Sequence, residues 1–183
     1  MNEAKFIERR KQHRLPYFEK VILSDGNKTV TAHAINISRG GVFVTTMDAF
    51  PIDTMGYMAF MVASHPMSLC VKARVAHIVF DKQRCEVECG MGVQFLDLSK
   101  SHSNILNLHI LNDQTGYLEL REVLKPERPD PIAIAKLIKK LPGLGGYDLL
   151  GLRYRVNRIC TIFDQSNEIT AVSPFPEGLR ANK

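Results

Sequence analysis

Two short stretches hold the residues best suited to chemistry. One is Arg10-Lys11-Gln12-His13-Arg14, preceded by Arg9, which sets two arginines four apart in a basic run near the start of the chain. The other is Asn36-Ile37-Ser38-Arg39-Gly40-Gly41, an N-x-S-x-x-G pattern. A guanidinium is a planar fork of donors that can clamp a phosphate, pair with the O6 and N7 edge of guanine, or stack on a base. Asn36 and Ser38 offer short polar groups beside a turn, within reach of a base edge or a phosphate. Gly40 and Gly41 leave no Cβ in the way, so backbone N–H groups can approach a ligand. Together these donors suit an anionic guanine nucleotide.

Other chemistry finds no comparable set. The histidines His13, His33, His65, His77, His102 and His109 show no ligand spacing with Cys, Asp or Glu, so no metal is expected. Cys70, Cys85, Cys89 and Cys160 form no C-x-x-C pair and read as reduced, partly buried thiols. There is no nucleophile elbow, no phosphate-binding lysine loop and no close pair of acids, so no catalytic residues are assigned and no enzyme activity or cofactor is expected. Gly143-Leu144-Gly145-Gly146 follows a helical segment instead of leading a strand into one, which argues against a dinucleotide loop.

The elements that must carry the two motifs are mostly strands. Tyr17–Leu23, Thr29–Ile37, Val42–Val44, Tyr57–Val62, Ser68–Phe80 and Cys85–Phe95 read as six short strands separated by turns such as Ser24–Asn27 and Asp81–Gln83. Val30, Ala32, Ala34 and Ile35 would face inward, and Met55, Met58, Met61 and Met67 would fill gaps in the core. Six strands with no helix between them predict a mainly β protein built on an antiparallel barrel or sandwich. A helix capped by Ser99 follows, with an apolar stripe of Ile105, Leu106, Leu108 and Leu111. Beyond Gly116 the sequence suggests a small α+β extension. Its elements would be a strand at Leu118–Leu124, a helix at Ile132–Leu141, a strand with Leu150, Leu152, Tyr154 and Val156 inward, and a closing hairpin over Ile159–Phe163 and Ile169–Val172.

The order and content of three stretches resemble the PilZ domain, a bacterial module that binds cyclic di-GMP. Glu8–Pro16 matches the family's arginine arm, Asn36–Gly41 its turn motif, and Gly90-Met91-Gly92-Val93-Gln94-Phe95 the last barrel strand before its C-terminal helix. The resemblance covers roughly residues 5 to 113. It implies a six-stranded antiparallel β-barrel with a C-terminal helix, and a receptor whose ligand is cyclic di-GMP. It also implies that Arg10 and Arg14 grip guanine and phosphate, that Arg9 assists, and that Asn36, Ser38, Gly40 and Gly41 form the barrel side of the site. The expected organisation is a flexible basic arm at 1–16, the barrel and helix at 17–113, and an extension of unassigned role at 114–183.

A receptor of this kind signals through a downstream protein, in motility, adhesion or exopolysaccharide control as the resemblance implies. The chain has 183 residues, 45% of them hydrophobic and 23% charged, with no apolar run long enough to span a bilayer and no secretory leader, so a cytoplasmic location is expected. A net charge of +5 favours anionic partners. The rival reading is a nucleic-acid binder using the arm and Arg153, Arg155 and Arg158. It lacks a DNA-reading motif and aromatics near those arginines. A PilZ-like module that binds only protein is the other alternative, against which the intact Arg10, Arg14, Asn36 and Ser38 weigh.

Overall fold

The computed structural model describes residues 14–62, 68–80 and 89–171, with side chains described through Asp164. Its strands are β1 (Leu15–Pro16), β2 (Lys20–Ser24), β3 (Thr29–Ser38), β4 (Gly41–Thr45), β5 (Met55–Phe60), β6 (Leu69–Val79) and β7 (Gly90–Leu96). The helices are α1 (Lys100–Leu124), α2 (Pro131–Ile138) and α3 (Leu149–Ala171). The strands pair antiparallel in the order β1-β3-β2-β5-β6-β7-β4, and β3 also pairs with β4. That last pairing closes β2 to β7 into a six-stranded barrel, the expected fold.

Alternation builds the barrel core. Val30, Ala32 and Ala34 of β3 point inward, as do Val42 and Val44 of β4 and Val71, Ala73 and Val75 of β6. A register shift between Ala34 and Asn36 in the β3–β4 ladder then displaces the pattern by one residue. Ile37, not Ile35, is therefore the next core residue, and Asn36 turns outward. The methionines also divide. Met58 is fully buried, whereas Met55 and Met61 lie at the surface, because their strand positions point outward or past the strand end. Met67, Cys85 and the Asp81–Gln83 turn lie outside the described residues.

β1 and β2 run along one edge of β3 as two parts of a broken strand. Leu15 pairs with Ile37 and Pro16 with Asn36, while Lys20 to Ser24 pair with His33 to Thr29. Between them the Tyr17 amide still donates to the Ile35 carbonyl at 3.1 Å, and Ala34 donates to Glu19 at 2.9 Å. Leu15 is wholly buried and belongs to the sheet, so the arm expected to extend freely to Pro16 is anchored from Leu15 onward. Burying an apolar Leu in the core outweighs the polarity of the residues before it.

The helical part departs most from the sequence expectation. Ser99 does cap α1, its side chain accepting from the His102 amide at 3.1 Å. The buried stripe, however, is Leu106, His109, Ile110, Asp113, Tyr117, Leu120 and Leu124, while Leu108 and Leu111 are exposed. α1 runs unbroken through Gly116, replacing the strand expected at Leu118–Leu124. A Cβ at Gly116 would stand 2.9 Å from Leu141 Cδ2, so the glycine lets the segment after α2 pack closely. Tyr117, fully buried, donates its hydroxyl to the Pro142 carbonyl at 2.9 Å.

In place of the strand and hairpin expected over 150–172, the described residues form one helix, α3, through Ala171. Its buried residues Leu152, Val156, Ile159, Cys160 and Phe163 recur at helical spacing and pack against α1. Asp148 starts it, its carboxylate accepting from the Gly151 amide at 2.7 Å. The extension is thus α-helical throughout the described residues, not α+β. Arg153 ties α3 back, donating through Nε to the Leu124 carbonyl at 3.0 Å and through a terminal nitrogen to Pro126.

Candidate functional site

The β3–β4 hairpin presents the N-x-S-x-x-G residues. Ser38 and Gly41 are the last paired residues of β3 and β4, with Arg39 and Gly40 forming the turn between them. Ser38 is buried, and its hydroxyl donates to the Gly41 carbonyl at 3.1 Å, which locks the hairpin. Replacing it, as in Ser38→Ala, removes one net hydrogen bond and should cost about 1 kcal/mol of stability in a urea titration. Gly40 contributes its carbonyl to the Phe95 amide at 2.9 Å. Gly41 lies against β7 so closely that a Cβ would run into the Val93 carbonyl oxygen. Gly41 therefore serves the close approach of β4 to β7.

Asn36 owes its position to the shift after Ala34. It pairs with Phe43 on one side and Pro16 on the other, on the outer wall of the barrel. Its Oδ1 is buried and has no hydrogen-bond partner among the described residues. A buried acceptor without a donor is costly, on the order of 1–3 kcal/mol, and such atoms call for an explanation.

β1 brings the arm to this same edge. Arg14 directly precedes Leu15, whose partner Ile37 directly precedes Ser38. Arg14 is half-buried and has an interaction of its own. The structure thus brings Arg14, Asn36, Ser38, Gly40 and Gly41 to one corner of the barrel. Arg9 and Arg10 lie outside the described residues. Arg39, exposed at the tip of the turn, is a further cation at this corner. It occupied a variable position of the motif, so only its neighbours marked it.

A profile of the PilZ domain matches residues 8–112, more than half of the chain. The chain belongs to the PilZ family. No curated protein matches it in sequence. Among solved structures, it is similar to the Bacillus subtilis inhibitor of motility MotI/DgrA at 19% identity and a TM-score of 0.50, over 60% of this chain and 52% of that one. It is also similar to YcgR from Escherichia coli in complex with c-di-GMP, at 13% identity and a TM-score of 0.50, over 63% of this chain and 50% of that one. The MrkH–c-di-GMP complex of K. pneumonia gives 14% identity and a TM-score of 0.50, over 58% and 52%. The chain spans about half the length of each of these proteins. At such identities the likeness shows a common fold.

The PilZ match takes in the arm from residue 8, the barrel and about the first half of α1. It stops at residue 112, so the last turns of α1, with α2 and α3, are additional to it. No helix among the described residues is long and apolar enough to cross a membrane, and among them no three His, Cys, Asp or Glu side chains converge as metal ligands would.

Proposed function

We propose that this PilZ protein is a receptor for cyclic di-GMP, held between the arginine arm and the Asn36–Gly41 hairpin, and that it acts through a partner protein instead of by catalysis. The observation that supports the reading is the β1–β3 register, which ends the arm against Ile37 and Asn36, on the edge where Asn36 Oδ1 has no partner among the described residues. Guanine supplies donors at N1 and N2 that suit such an acceptor, while an arginine fork suits its O6 and N7 edge or a phosphate. Arg10 would grip base or phosphate alongside Arg14, with Arg9 assisting. Ser38, Gly40 and Gly41 keep the corner rigid and open. The solved PilZ structures of YcgR and MrkH contain c-di-GMP, which supports the same ligand here.

The arm is fixed at Leu15, so ligand capture changes the path of the chain before that residue while the barrel stays closed. The output is then a changed surface, read by a partner in motility, adhesion or exopolysaccharide control, within the cytoplasm. Calorimetric titration of the full chain with cyclic di-GMP tests the proposal. Saturable heat at micromolar ligand supports it, and no heat at that concentration overturns it.

A further inference from the structure

A buried polar cluster lies between the arm's anchor and the helical extension. Tyr17, the residue after β1, sets its ring edge-on to His109 of α1, with centroids 5.8 Å apart and planes at 70°. Its hydroxyl donates to the Met61 carbonyl. One turn along α1, Asp113 places Oδ1 3.8 Å from His109 Nδ1, too long for a hydrogen bond, and both side chains are almost wholly buried. The next turn carries Tyr117, against which Cys160 of α3 packs, its thiol donating to the Tyr117 carbonyl at 3.5 Å. Asp113 and Arg155 of α3 both act electrostatically on the Tyr117 hydroxyl. The cluster therefore touches the arm's anchor, α1 and α3 in sequence.

Its hydrogen bonding is incomplete. His109 Nε2, Asp113 Oδ2 and Arg155 Nε are buried and have no hydrogen-bond partner among the described residues. A half-satisfied polar network in a core is disfavoured against a fully apolar one, and it has something to gain from a second arrangement. Small movements suffice, since Asp113 needs less than 1 Å to bond His109. We propose that the Tyr17–His109–Asp113 cluster relays occupancy of the arm site to α3, the element the PilZ match leaves unassigned. The relay rests on the receptor reading above. Ligand capture pulls on the anchored segment Leu15 to Tyr17 without displacing it from the sheet, Tyr17 bears on His109, and His109 and Asp113 re-pair beside Tyr117, which contacts Cys160 of α3. A shared element that both sites bias is what coupling requires.

The test is amide hydrogen exchange of α3 in the full chain, with and without saturating cyclic di-GMP, for the wild type, Asp113→Asn and His109→Leu. Binding by each protein is confirmed by calorimetry. The expected result is a ligand-dependent change in α3 exchange of about fivefold or more in the wild type, falling below about twofold in both variants. Should His109→Leu fail to fold, Asp113→Asn decides alone. Wild type that binds ligand with α3 unchanged overturns the relay and leaves the receptor reading standing, as does an α3 response that persists in the variants. Absence of any binding by the wild type overturns the receptor reading, and the relay with it.

Discussion

Arg14→Ala is expected to lower the affinity for cyclic di-GMP by tenfold to about a hundredfold. A hydrogen bond to an ionised group is worth about 1.5–3 kcal/mol, and each 1.4 kcal/mol is tenfold in Kd. Leu15, next to Arg14, is wholly buried and paired with Ile37. The Arg14 backbone is therefore held before binding, which favours the upper part of the range. Arg128→Ala removes the same charge from the exposed connection between α1 and α2 and should leave affinity within about twofold. Calorimetric titrations of the two variants separate a specific grip from general attraction to anions. Equal losses in both, growing as salt is lowered, would favour the nucleic-acid reading instead.

Asp113→Asn is expected to stabilise the protein above pH 6 and to have no such effect in acid. Burial pushes the Asp113 carboxyl from 3.8 up to about 6. Beside it lie His109, 3.8 Å away and itself disfavoured in its charged form by burial, and Tyr117, with which it interacts electrostatically. The folded protein keeps the Asp113 proton between pH 4 and 6 while the unfolded chain has released it, so stability falls as pH rises through that window. Above it the folded state carries a poorly compensated buried charge, and the displacement corresponds to roughly 3 kcal/mol. Urea denaturation should show the variant about 2–3 kcal/mol more stable at pH 8 and equal to the wild type near pH 3.5. Equal stability at pH 8 would mean that another group already neutralises Asp113.

The barrel was legible in the sequence because its strands alternate cleanly and are bounded by turn residues. Val30, Ala32 and Ala34 marked one face of β3, and Ser24–Asn27 marked the hairpin before it. Carried on, the same alternation puts Asn36 inward, and an inward Ile35 already departs from it; the shift that makes Ile37 the next core residue leaves no local mark in the sequence. Asn36 was legible as a motif residue, but its outward turn and unmatched acceptor depend on that shift. The arm's anchor was missed because a lone Leu15 beside a basic run gives no period to read.

The extension misled for a different reason. Leu150, Leu152, Tyr154 and Val156 satisfy a period of two, yet Leu152, Val156, Ile159, Cys160 and Phe163 satisfy a period near 3.6 over a longer stretch. The adjacent apolar pair Ile159-Cys160 breaks the first pattern and suits the second. Asp148, placed just before that run, was the cap signal that would have decided between them. Gly116 reads as a break in the sequence, though a glycine can sit inside a helix wherever a neighbour packs as closely as Leu141 does. His109 and Asp113 are four apart, the spacing of neighbours on one helical face. Their pairing became readable only once α1 was known to continue and to bury them.

The two residues of β1 also protect the molecule from its neighbours. They cover the stretch of β3 backbone at Asn36 and Ile37 that the other strands of the closed barrel leave open on that side. Uncovered strand edges invite pairing between molecules. A chain trimmed beyond Pro16 would lose its cationic segment and bare that stretch in the same cut, so self-association at high protein concentration would accompany the loss of ligand.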